Sequence, residues 1–369
     1  MALKVWDGFD HYNATADFLA RSGFLQWQLP NTGQPTLSFV TGRNGIGKAL
    51  KVVNPGNTTT PTTTALRGVF ADRNAEAYFR QPVLIPAGTV GTAVSWFVVF
   101  QDTVAGSPQI TVKFNGANYS VQVFRGDYTG TSLALSANNA WTGDIWNNVE
   151  FHAKIANSGG VVDVQVRGVS VFGGAVTGLD TQNTANAWFD AVDYYAVPLN
   201  VTTGAFIEID DFSYNDTVSG AGTYSADGYM GDAAVKTLFA TGNGTVQWTP
   251  LTGTNWGEVA EQAMDSDTSY NSDTTSGHQD LFTFTALGGT ISVIYGIQVT
   301  FAGRKDDGGS RVVKSAVKSS STTDYGANHS LPDTNYAYFS DIWVLDPNTS
   351  ATWTLSGVNG ATFGYNLVS

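Results

Sequence analysis

The residues of this chain that could do chemistry are carboxylates and aromatic rings. It contains no cysteine, and its four histidines (His11, His152, His278, His329) lie outside the H-x-H and H-E-x-x-H spacings that hold zinc. In Glu208-Ile209-Asp210-Asp211, strand alternation would place Glu208 and Asp210 on one face. Retaining glycoside hydrolysis uses two carboxyls about 5 to 5.5 Å apart. Asp210 and Asp211, together with Asp265 and Asp267, also offer hard oxygen donors in turns, which makes them the candidate calcium ligands. After Asp265-x-Asp267, no glycine follows at the sixth loop position and no glutamate at the twelfth, so solvated turn acids stand as the alternative. Among the rings, Trp141 and Trp146 flank the polar turn Thr142-Gly143-Asp144, and Tyr325, Tyr336 and Tyr338 surround a loop rich in Ser, Thr, Asp and Asn. Such rings stack on the C–H faces of sugars or meet a neighbouring subunit, and core packing is the competing reading.

The elements that must position these residues are strands. Charged residues are 13% of the chain and aromatics 12%, with 41 glycines among 369 residues, a balance that favours short strands and tight turns over helices. Runs such as Ala93 to Gln101, Asn148 to Ile155 and Phe206 to Tyr214 read as strands. In 161–166, Val162, Val164 and Val166 point to a core while Asp163 and Gln165 point to water. Asn115-Gly116, Gly173-Gly174 and Asp307-Gly308-Gly309 are turn signals. Gly42 to Lys48 lacks the spacer and the Ser or Thr of a phosphate-binding loop and reads as a hairpin. Helix is expected only around 14–21 and 257–264. The length calls for two cores. The expectation is therefore an all-β chain of two antiparallel β-sandwich (jelly-roll) domains, 1–217 and 227–369, joined by a small, polar linker at 218–226.

A formal charge of −13 excludes the basic surface that nucleic acid requires. No apolar run reaches the roughly 18 residues of a membrane span, and the first residues lack the pattern of a secretory signal.

Four segments of the first half resemble the concanavalin A-like, laminin-G-like jelly roll of lectins, glucanases and viral tail proteins. They are Gly45 to Val52, Val94 to Phe100, Trp146 to His152, and Ile207-Glu208-Ile209-Asp210-Asp211-Phe212. The second half resembles C-terminal modules of phage tail and virion proteins at Asp227 to Asp232, Trp256 to Tyr270, Lys305 to Gly308 and Phe363-Gly364. In the related glucanases, Glu-x-Asp is followed by a second glutamate on the same strand. Phe212 and Ser213 occupy those positions here, so the resemblance implies a non-catalytic protein. It further implies a virion component of a tail, baseplate or fibre that assembles in a host cytoplasm and is released by lysis. Its partners would be other virion proteins, further copies of itself as a trimer or ring, and host surface glycans, with no cofactor unless calcium is held. A glycan-cleaving enzyme on the same fold and a capsid decoration or head-fibre protein are the alternatives.

Overall fold

Strand-forming runs separated by Gly, Asn and Asp turns dominate the chain. The computed structural model describes residues 3–20, 24–29, 35–45, 47–53, 66–87, 94–198, 206–216, 228–261, 264–333 and 335–369. Two seven-stranded antiparallel sheets face each other. The first runs in the order Leu3–Asp7, Phe212–Asp216, Glu76–Arg80, Val149–Lys154, Gly160–Val166 and Val169–Ser170, with Val176–Leu179 also pairing to Gly160–Val166. The second runs Ser132–Leu135, Val121–Arg125, Ser107–Phe114, Val94–Asp102, Phe189–Pro198, Leu66–Asn74 and Leu25–Gln28. Alternation sends every second side chain between the layers. Phe79 stacks on Phe151 at 4.3 Å in one sheet; both rings meet Phe100 of the other, and Phe151 also meets Trp96. A five-stranded sheet adds Leu50, Val52, Ile207 and Ile209 to the same core.

The second half is built on a six-stranded antiparallel sheet ordered Ala240–Asn243, Gln279–Phe284, Thr362–Leu367, Val312–Ser319 and Thr322–Tyr325, with His329–Ser330 on the fourth strand. Ile297–Gly303 pairs with Ala337–Trp343 as a separate two-stranded ribbon. The apolar cluster between these layers is small: Val299, Val317, Trp343, Trp353, Val358, Ala361 and Phe363. The all-β class read from composition is the class observed. The helices differ in detail. Thr15–Leu19 forms with Ala14 at its N-cap. Among the described residues of 257–264 only the single turn Gly257–Val259 appears, and Leu355–Gly360, capped by Thr354, had no sequence signal strong enough to place it. No helix among the described residues is long and apolar enough to cross a membrane. The linker at 218–226 lies outside the described residues.

Residues 228–237 form an irregular strap over the outer face of the first sheet. A segment without strand or helix partners must satisfy its backbone polar groups elsewhere, and here side chains do so. Glu150 accepts from the backbone N–H of Met230 (2.6 Å) and Gly231 (2.9 Å). Asn148 donates to Gly231 O, and both Arg80 (2.7 Å) and Arg43 (2.6 Å) donate to Ala233 O. Asp211 accepts from Val235 N (2.7 Å) while its other oxygen takes the Arg43 guanidinium at 2.8 Å. Tyr229 donates its hydroxyl to Asp163, also at 2.7 Å. Asp163 is thus buried, although alternation placed it on a wet face: Val162, Val164 and Val166 do point inward, and the strap covers the other side.

Removing one partner from a buried ion pair leaves an uncompensated charge, at a cost of about 3–5 kcal/mol. Arg43→Met should therefore lose stability of about that size in denaturant unfolding, and 228–237 should become the first site of limited proteolysis. Wild-type stability and an uncut strap in the variant would contradict this account of what anchors it.

Candidate functional site

The carboxylates singled out in Glu208 to Asp211 are each held by partners of their own. Glu208 sits in the five-stranded sheet opposite Lys51, with which it pairs at 3.4 Å. The next strand, Phe212–Asp216, belongs to a different sheet. Between them Asp211 adopts a left-handed φ of 45°, which turns the chain from one sheet toward the other. Asp210 accepts from the backbone N–H of Arg43 (2.8 Å) and of Asp211 (2.7 Å), and Asp211 pairs with Arg43. As candidate calcium ligands, Asp210 and Asp211 are thus occupied by N–H donors, and among the described residues no group of three or more His, Asp or Glu side chains converges as a metal site would. Asp265 is likewise committed, accepting from Ser269 N and Oγ at 3.2 and 3.0 Å.

The candidate aromatics separate in space. Trp141 is 3% exposed and packs edge-on against Tyr119 at 4.9 Å, so it is interior and offers no open face. Trp146 is half-buried in the short pairing with Leu84. Tyr325 is 39% exposed at a sheet edge, beneath the Lys314 ammonium (4.1 Å) and donating to Gln279. Tyr338 is 4% exposed and wedges edge-on against Tyr12 and His11, joining the two halves.

Tyr336 and Asp267, 69 residues apart, do come together. The Tyr336 hydroxyl donates to Asp267 at 2.9 Å, and the Arg304 guanidinium donates to the same carboxylate oxygen at 2.8 Å while lying 5.4 Å from the Tyr336 ring centre. These donors hold the Asp267 carboxyl below its ordinary range. Burial, and then the bond to Asp267, push the Tyr336 phenol up to about 12.

This clamp lies on a cleft of about 890 Å³ between the six-stranded sheet and the 297–303/337–343 ribbon, with strap residues 232–237 along one wall. Trp248 and Tyr365 meet edge-on at 4.7 Å, and Phe282, Phe284, Phe301 and Phe363 extend the apolar wall. Asp280, fully buried, accepts from Gln247 N, Trp248 N and Asn255 Nδ2 at 2.7 to 2.9 Å, fixing the loop that presents Trp248. Glu258 anchors the adjoining turn by accepting from Thr252 and from Tyr270 N. Burial, reinforced by the charges of Asp265 and Glu258, pushes the Glu261 carboxyl up to about 7. Sequence reading passed over Trp248, Glu261 and Arg304. Each is an isolated residue in an irregular stretch, and only the folded chain brings all three to one cleft.

No family model and no curated protein sequence matches the chain. Among solved structures, it is similar in fold to a cellulose induced protein, Cip1 (14% identity, 59% of this chain and 100% of that one, TM-score 0.40). It is also similar to a prokaryotic β-1,3-1,4-glucanase derived from a mouse hindgut metagenome (13%, 58% and 99%, TM-score 0.36) and to Lectin I from Ulex europaeus (10%, 58% and 98%, TM-score 0.34). The class that fold and site define is an antiparallel β-sandwich protein carrying an aromatic-walled cleft.

Asp210 gives this arrangement a pH signature. Burial, and then the adjacent Asp211 charge, push its carboxyl from 3.8 up to about 8. Between those values the unfolded chain releases a proton that the folded protein keeps, so the stability contributed falls as pH rises toward 8 and levels off above it. Glu261 adds to the same slope up to about 7. Denaturation midpoints should decline across this window, and Asp210→Asn should flatten the decline; an unchanged slope in the variant would remove the assignment.

Proposed function

We propose that this protein is a non-catalytic, glycan-binding structural component of a bacterial-virus tail, fibre or baseplate, with the cleft of its second half as the binding site. The observation that carries the binding reading is the cleft itself, which has the size and character of a ligand site: apolar aromatic walls with a few fixed polar groups at the mouth. Aromatic faces take the C–H faces of sugar rings, and the Asp267–Arg304–Tyr336 clamp offers donors and acceptors for hydroxyls. The engagement of Glu208 by Lys51 and of Asp210 by backbone N–H groups supports a non-catalytic role for the first half. The virion setting rests on sequence: the absence of cysteine, the acidic charge and the resemblance of both halves to tail proteins. In such a particle the chain would follow the symmetry of its attachment site as a trimer or ring.

A glycan array followed by calorimetry on the purified chain tests the binding reading. Trp248→Ala should weaken the sugar ligand by about tenfold, and a full array without a single binder would end the proposal. Immunogold electron microscopy of particles tests the setting, for which label confined to the capsid would argue against a tail.

One observation favours a second reading, a glycan-cleaving enzyme. Glu261 and Asp267 line the same cleft with carboxyls displaced in opposite directions, the arrangement that separates an acid from a base. Reducing-end assays on polysaccharide libraries should show no cleavage. Cleavage abolished by Glu261→Gln or Asp267→Asn would establish the enzyme instead.

A further inference from the structure

Among the described residues that line the cleft, one acid has a buried carboxylate oxygen without a hydrogen-bond partner. Glu258 is taken up by Thr252 and Tyr270, and Asp267 by Arg304 and Tyr336. Asp273 accepts from Thr274 N, Thr275 N and His278, and Asp307 accepts from Arg311. Glu261 differs: its Oε2 is buried and accepts no hydrogen bond from the described residues, and the donor that its carboxyl does have is its own backbone N–H. The charged and titratable groups around it are Glu258 and Asp265 from its own stretch, Tyr338 from the ribbon and Tyr365 from the sheet. None of these supplies a positive charge.

A buried carboxylate oxygen without a donor is costly, and aromatic faces attract cations. An ammonium group answers both, with three N–H donors and a charge that is favoured next to an acid and rings. We propose that the ligand of this cleft is a glycan carrying a free, protonated amine, a 2-amino-2-deoxy sugar, whose ammonium group is received by the Glu261 carboxylate against the aromatic wall. This rests on the glycan-binding reading and narrows it. An N-acetylated sugar offers a single N–H and no charge at that position, and a neutral sugar offers hydroxyls alone.

Receiving a cation requires Glu261 to ionise. Its carboxyl is held up to about 7 in the free protein, so binding at pH 6 transfers its proton to solvent. Calorimetry of the full chain with a β-1,4-linked glucosamine trimer and with the fully N-acetylated trimer, at pH 6 in two buffers of different ionisation enthalpy, reads affinity and proton release together. The expected result is about tenfold tighter binding of the free-amine trimer, with release of up to one proton. Glu261→Gln should erase both the preference and the release. Asp306→Asn removes the same charge from the exposed rim and should retain both. Equal affinity for the two trimers, or proton release that survives Glu261→Gln, overturns the inference. If neutral or acetylated sugars bind in a Trp248-dependent way without that preference, glycan binding stands and the amine assignment falls. If no glycan of any class binds, the underlying reading falls with it.

Discussion

The arrangement of this molecule depends on a peptide segment held by side chains instead of by a sheet. Residues 228–237 have no strand partner, yet the outer face of the first sheet meets their backbone through Glu150, Asn148, Arg80, Arg43 and Asp211. Charged groups are buried at low cost only where each finds a partner of opposite sign or a backbone dipole. The strap supplies those dipoles, and the charges in turn hold the strap. Neither is stable in place without the other, and the same stretch forms a wall of the cleft. The first sandwich therefore contributes to the site twice, through the strap that it holds and through Trp6, Arg80 and Ser213 of its first sheet, which line the cleft.

Much of the fold was legible in the chain. Val162, Val164 and Val166 announced a strand with one buried face, and Gly42 to Lys48 a hairpin, because period-two alternation and turn chemistry are local properties. What local pattern could not reveal was the second side of the first sheet. Asp163, Glu150 and Arg80 look like residues for water and are buried, because a segment some 65 to 155 residues distant in sequence covers them. The site was legible only in fragments for the same reason. Asp267 and Tyr336 each stood out by type, but their contact is created by the ribbon 297–303/337–343 and by Arg304 at the end of its first strand. Trp141 and Tyr338 illustrate the converse. Flanking polar turns pointed to the surface, whereas the large ring area of each is more stabilising in the interior, and both went inside.

The two halves also close their apolar layers to different degrees. In the first, large rings from both sheets interlock, and the buried residues outnumber the partly buried ones around them by more than two to one. In the second, seven residues form the buried cluster while Leu238, Phe284, Leu287, Ile294 and Ile297 stay partly uncovered around it. A layer pair that stops short of full contact leaves hydrocarbon facing a gap, and that gap is what a ligand can fill.

The left-handed residue at Asp211 has an implication for redesign. By sending the chain from one sheet into another between Ile209 and Phe212, it places the two positions where a further acid would complete a hydrolytic set inside the protein. Phe212 is fully buried against Trp27, and Ser213 is 2% exposed. Grafting a glutamate at Phe212 would drive a charge among aromatic rings and would not face it toward a sugar. Converting this scaffold to hydrolysis along that strand would demand rebuilding the turn before exchanging any side chain.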